Sequence, residues 1–257
     1  MNKGCRFSAA LVLLSLVFGA GVSAAGEVSV AVASNALQAM KDIKGRFEKS
    51  SGNKVLISSG STGKLYTQIV NGAPFDIFLA ANAREPQRLE QAHGIVPGSR
   101  VTYAIGRLVL WNNALHGASG ATIQQLLASA DLKRITMANP KTAPYGYAAQ
   151  EMLQALKLWD GVQGKLIRAE NVTQAFQFTE SQNVQMGFVA LSQIKAYQGQ
   201  IKESDYWLVP QKLYKPIEQQ GVLLLRAKDN VAAKQFMDYL RSAEVRQLLQ
   251  ERYGYGA

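Results

Sequence analysis

The chain has almost no cysteine or histidine: of 257 residues, one is Cys and two are His. The single cysteine, Cys5, lies before an apolar run near the N-terminus. A lipid-attachment cysteine would follow such a run, so Cys5 is in the wrong place for that role. Without that segment, no disulfide, thiolate nucleophile or cysteine-ligated metal is available. His93 stands beside Gly94 at the end of a helical pattern and His116 in a polar loop, so neither belongs to a zinc-type cluster. There is no second apolar run of membrane-spanning length. No basic tract interleaved with aromatics is present, which argues against nucleic acid as a partner. Internal repeats and low-complexity tracts are absent as well. Two enzyme signatures also fail. A phosphate-binding nucleotide loop would need Gly at Ser58 and Ser or Thr at Leu65, and no G-x-S-x-G elbow occurs. With no nucleophile–base pair at recognisable spacing, a secreted hydrolase acting on an anionic substrate has no support, and the chain reads as a non-enzyme.

What is present begins with an export signal. Lys3 and Arg6 form a basic start, Phe7 to Phe18 is apolar but too short to span a bilayer, and Val22-Ser23-Ala24-Ala25 supplies small residues for cleavage after Ala24 or Ala25. Residues 1–25 therefore read as a secretory signal peptide. The formal charge of the whole chain is +10, and loss of Lys3 and Arg6 leaves 26 basic against 18 acidic residues, a net of +8. Such a surface can steer anions towards a cleft, or can simply be a solvated basic face.

Downstream, strand and helix patterns alternate. Glu27–Ala33 alternates with period two, and Leu37, Met40, Ile43 and Phe47 mark a helix. Strands follow at 54–58 and 75–81 with a short helix around Leu65, Ile69 and Val70 between them, a βαβαβ order that predicts a parallel sheet covered on both faces. Residues 101–111 are long for one strand. Further strands are expected at 135–138, 186–191 and 221–225, and helices close the chain at 231–240 and 245–249. The pattern predicts an α/β protein of two lobes, one built from 26–105 and 221–257 and the other from 106–220. The chain would cross between them near 103–107 and 216–222. A single doubly wound domain is the alternative. Two lobes leave a cleft at the strand ends, where ligands of α/β sheets bind.

Four loop-to-helix junctions are placed to line that cleft: Ser34-Asn35, Ser61-Thr62-Gly63, Tyr145-Gly146 and Asn171-Val172-Thr173. The first turn of a helix carries free N–H groups and a partial positive charge. With neutral Ser, Thr, Asn and Tyr donors added, such ends can hold a buried oxyanion without a Lys or Arg contact. Taken singly, each junction is better explained by plain helix capping, and it is the presence of four in one chain that favours a site. Gly60 and Gly63 would let the backbone approach a ligand. Asp76, inside an apolar strand, reads as a buried structural acceptor. Asn171-Val172-Thr173 also fits a glycosylation sequon, a weak signal in an exported bacterial-style chain.

These segments carry a resemblance that covers essentially the whole mature chain. VAVASNALQAM, ISSGSTGKLYTQIVNGAPFDIFLAAN, GSRVTYAIGRLVLW, NPKTAPYGYAA and MGFVALSQI resemble the periplasmic molybdate-binding proteins of ABC importers. The resemblance implies a type II periplasmic binding fold, two lobes with mixed, mostly parallel sheets joined by a hinge. It implies a periplasmic receptor, monomeric and without a cofactor, that binds molybdate or tungstate and delivers it to a membrane permease with its ATPase. Molybdenum or tungsten would enter only as the oxyanion. The contacts it implies are Ser34 and Asn35, Thr62 beside Ser61, Tyr145, and the backbone at Val172. Some relatives carry Tyr near the position of Phe188, which has no donor, so Tyr145 would supply the phenolic donor from the other side. A receptor for sulfate or phosphate remains the alternative, since these differ from molybdate mainly in size.

Overall fold

The computed structural model describes residues 25–111, 120–199 and 201–256. The expected leader, apart from Ala25, lies outside the described residues, as does His116. Among the described residues no helix is long and apolar enough to cross a membrane.

The chain first builds β1 (Glu27–Ala33), α1 (Leu37–Ser51), β2 (Lys54–Gly60), α2 (Thr62–Val70), β3 (Ile77–Ala80), α3 (Arg84–Gln91) and β4 (Val101–Gly106). It then forms β5 (Leu108–Trp111), α4 (Gly120–Ala128), β6 (Ile135–Ala138), α5 (Pro144–Ala155), α6 (Trp159–Val162), β7 (Leu166–Ala169), α7 (Val172–Glu180), β8 (Met186–Ala190), α8 (Leu191–Ala196) and β9 (Tyr206–Leu208). It closes with β10 (Ile217–Leu223), α9 (Val231–Leu240) and α10 (Ala243–Glu251). Two five-stranded sheets result, ordered β2-β1-β3-β10-β4 and β7-β6-β8-β5-β9. They make an α/β fold of two lobes.

Side-chain alternation explains how the first sheet is covered. Val28, Val30 and Val32 of β1 face one core with α1, α9 and α10. Ala31 faces the opposite core with Leu65 of α2 and Leu89 of α3. A strand with apolar residues on both faces must be buried on both, as the period-two rule requires. The second sheet shares one core with Ile123, Met152, Leu153 and Phe176 from its flanking helices.

Each sheet has a parallel and an antiparallel half. β1 pairs parallel with β2 and β3, and β6 with β7 and β8. β10 runs antiparallel to β3 and β4, and β5 to β8 and β9. The run at 101–111 is two strands in two different sheets, with Arg107 between them as one crossing.

The return strand starts earlier than the sequence pattern suggests. The strand and lobe boundary expected at 221 fall inside β10, which is already paired with β4 at Ile217, Glu218 and Gln219. The apolar run that marks a strand begins only at Gly221, and the polar Glu218-Gln219-Gln220 carries no such signal. These polar residues belong to the sheet because their side chains are satisfied there: Gln220 Nε2 donates to Thr102 Oγ1 at 3.0 Å, and Gln219 meets Asn35.

Candidate functional site

The ends of four helices meet between the lobes. Ser34 and Asn35 form a tight 3₁₀ turn between β1 and α1. Ser61 precedes α2 and Thr62 opens it, Tyr145 lies in the first turn of α5, and Val172 opens α7. All six line one small cavity, with Ala33, Gly60, Ala81, Ala143 and Pro144 completing the wall. All six are buried, Ser34 being the most exposed at 7 %. No charged side chain is among the residues lining the cavity. The first N–H groups of these helices lack intrahelical partners, so the cavity is electropositive without a formal charge.

Capping accounts for only one of the four junctions. At α7, Asn171 Oδ1 accepts from the N–H groups of Thr173 and Gln174, both at 3.0 Å. The Val172 N–H, the first of that helix, keeps no capping partner. The 3₁₀ turn, α2 and α5 have no side-chain cap at all. Ser61 holds the N-cap position of α2, yet its hydroxyl is buried with no hydrogen-bond partner. The Tyr145 hydroxyl is equally buried and unpartnered. Thr62 Oγ1 accepts from the Ala81 N–H at 3.0 Å, which leaves the hydroxyl proton free to donate. Orphaned buried polar groups are rare because each forfeits its hydration. Three hydroxyls with donors to spare around one cavity match a ligand that only accepts.

Asn35 differs from its expected role. Its Nδ2 donates to Gln219 Oε1 at 2.9 Å and to Tyr255 OH at 3.0 Å, so both amide hydrogens are committed within the protein. What Asn35 can still offer the cavity is its backbone N–H. Gly63 also differs. A methyl group there would lie 3.0 Å from the Thr142 carbonyl, and the Gly63 N–H donates to that same oxygen at 2.9 Å. Its bareness serves the approach of the other lobe rather than of a ligand. Gly60 lines the cavity, and a methyl there would make only ordinary contact with Leu65.

Several bonds tie the lobes together around the cavity. Thr173 Oγ1 donates to the Ser34 carbonyl at 3.1 Å and Ser192 Oγ to the Asn35 carbonyl at 3.0 Å. Lys64 pairs with Glu170 at 2.8 Å across the cleft. The Gly63-Lys64 pair that suggests a nucleotide loop is therefore a contact between lobes.

Burial pushes the Tyr145 phenol well above its ordinary pKa, with the neighbouring phenols of Tyr255, Tyr214 and Tyr103 adding to the effect. Tyr145 therefore stays a neutral O–H donor through the physiological range. Tyr255 is pushed up to about 12, chiefly by burial.

The comparisons fit this geometry. A family model described as bacterial extracellular solute-binding protein matches residues 28–256. The chain belongs to this family. Its relatives include the molybdate-binding protein ModA of Azotobacter vinelandii, 44 % identical over 249 residues that cover 95 % of this chain and 96 % of the relative. The ModA protein of Rhodobacter capsulatus is 40 % identical over 245 residues, 94 % of this chain and 93 % of its own. The solved periplasmic molybdate-binding protein of A. vinelandii superposes with a TM-score of 0.83 at 36 % identity, over 90 % of this chain and 99 % of that one. The resemblance seen in the sequence holds along the chain.

For this solute-binding protein, the sequence reading missed Gly106, Gln219 and Tyr255. A methyl group on Gly106 would collide with the Tyr145 hydroxyl and lie 2.8 Å from Gln219 Nε2. Gly106 thus makes the room into which Tyr145 reaches. The available signal was a glycine interrupting a long apolar run at 101–111, read only as excess strand length. Phe188 lies in β8 within the core of the second lobe and is not among the residues lining the cavity. Asp76 accepts from the Ser29 N–H at 2.8 Å and pairs with Arg226 at 3.2 Å, a structural acceptor. His93 is exposed in the turn after α3. The Asn171 side chain is spent on its helix, whatever the sequon suggests. Among the described residues no group of His, Cys, Asp or Glu could hold a metal ion.

Proposed function

We propose that this protein is a periplasmic receptor that binds molybdate, and tungstate in the same way, and delivers it to the permease and ATPase of an ABC importer. One observation carries the reading: a cavity built from uncapped helix ends of both lobes, in which the buried hydroxyls of Ser61 and Tyr145 have no protein partner. A fully deprotonated tetrahedral oxyanion supplies acceptors to each of these donors. In this reading Ser61, Thr62 and Tyr145 contact it through hydroxyls, Ser34 through hydroxyl or N–H, and Asn35 and Val172 through N–H. The names of the relatives support molybdate over sulfate or phosphate, which the donor chemistry alone would also fit. A ligand touching both lobes favours the closed arrangement, so the lobes move about the crossings at Arg107 and at residues 214–216.

The test is a calorimetric titration of the purified mature chain with molybdate, tungstate, sulfate and phosphate. One molybdate or tungstate is expected per chain, unaffected by chelators and reductants, with sulfate and phosphate far weaker. Equal affinity for sulfate would assign a different oxyanion. Turnover of a ligand would move the protein out of the receptor class.

A further inference from the structure

Beneath the cavity lies a buried polar network that the ligand contacts do not explain. Gln219 is fully buried, at 0 % exposure, on the strand that returns from the second lobe to the first. It stands where the pairing of β10 with β4 shifts register, between Gln219 opposite Ala104 and Gln220 opposite Thr102. Such a bulge re-aims side chains. Gln219 Oε1 accepts from Asn35 Nδ2 at 2.9 Å, while Gln219 Nε2 donates to the Ile217 carbonyl at 3.2 Å. Tyr255 supplies the second acceptor for Asn35 Nδ2 at 3.0 Å. Asn35 is the middle residue of the 3₁₀ turn, and its side chain is held from both sides. On the far side of Gln219, a methyl group on Gly106 would lie 2.8 Å from its Nε2 and collide with the Tyr145 hydroxyl, so the bare Gly106 at the end of β4 lets these two side chains approach.

A buried carboxamide needs partners, and a fully satisfied network fixes one geometry. Here the geometry fixed is that of the turn whose residues Ser34 and Asn35 line the cavity. We propose that Gln219 is a positioning residue for oxyanion capture: it holds the Asn35 carboxamide as a strut, so that the Ser34–Asn35 turn presents its backbone donors to the ligand. The Asn35 side chain is then a structural arm of the turn and not a ligand contact. Gln219 does its work from the strand that returns to the first lobe, next to the place where Tyr145 of the other lobe enters. This rests on the oxyanion reading above.

The experiment is a double-mutant cycle read by molybdate titration, using the parent, Gln219→Leu, Asn35→Ala and the double variant, each with a thermal melt. A purely structural role for Gln219 would lower the melting temperature and leave affinity alone. The expected result is a ~10-fold loss of affinity for Gln219→Leu, the effect of losing one well-placed hydrogen bond. A similar loss is expected for Asn35→Ala, with no further loss in the double variant, because the two act through one turn. Parent-like affinity in Gln219→Leu would overturn the proposal, and so would losses that multiply in the double variant. Should Gln219→Leu not fold, Gln219→Met takes its place in the same cycle. If the parent itself binds no molybdate, the oxyanion reading fails and this inference falls with it. If the parent binds and the cycle is additive, only the inference fails.

Discussion

Asn171 and Ser61 occupy the same position, the N-cap, of two helices that meet across one cavity. Asn171 does what its residue type predicts and bonds two N–H groups of α7. Ser61 does not: its hydroxyl is buried, unpartnered and turned away from capping α2. The same physical preference thus places both residues, yet one is consumed by its helix and the other is held in reserve. Residue type at a helix start gives the position of a donor. Only the hydrogen-bond ledger shows whether the donor is available.

The comparison can be broken experimentally, starting with the largest expected effect. Tyr145→Phe removes an idle hydroxyl and keeps the ring. Molybdate affinity should fall by roughly ten- to a hundredfold, since a hydrogen bond to a charged group is worth about 1.5–3 kcal/mol. Folding should be unharmed, because no protein bond is lost. The variant should also resist alkali better. The folded-state pKa of Tyr145 is raised, so its contribution to stability is present below the unfolded pKa of about 10 and is lost as pH rises above it. Phe has no such proton to lose. A melt series from neutral to alkaline pH checks this, and equal alkaline sensitivity in parent and variant would count against the burial argument.

Next come the two N-cap residues themselves. Ser61→Ala should lower affinity by about tenfold and leave the melting temperature equal or higher, because a buried unsatisfied group is removed. Asn171→Ala should do the reverse, losing about 1 kcal/mol of stability with a smaller change in affinity. Titration and melting of both variants decide it, and matching profiles would erase the distinction between spent and reserved donors.

The smallest effect is expected at the contact between lobes. Lys64 and Glu170 are each about half exposed, so Lys64→Ala should change affinity by well under 1 kcal/mol. The change should appear as faster molybdate release in stopped-flow and fade as salt is added. A salt-independent loss of tenfold or more would place Lys64 on the ligand itself.

Much of this was legible in the sequence. Periodicity placed β1 and α1 because each has a strong apolar stripe, and β2 was marked by its short apolar run Val55-Leu56-Ile57. The site residues Ser34, Ser61, Tyr145 and Val172 lie at junctions that lead from a strand into a helix, where the sequence pattern changes period. What could not be read had physical causes. After Ile217, β10 carries polar residues, and the partners of Gln220 and Gln219, Thr102 and Asn35, are far away in the chain. The strand β7 is short and half exposed, with the pattern of a loop. The Asn35 side chain reads as a ligand donor because its two acceptors, Gln219 and Tyr255, are distant in sequence. Gly63 seemed to clear space for a ligand because nothing local shows that Thr142 lies against it.

The bond from Asn35 to Tyr255 closes a loop of 220 residues. Contacts of such sequence separation form late, since the chain entropy between them must be lost first. The site is therefore a product of finished folding rather than a seed for it. A bound anion would slow the unfolding of the completed receptor and would leave the early collapse of either lobe untouched.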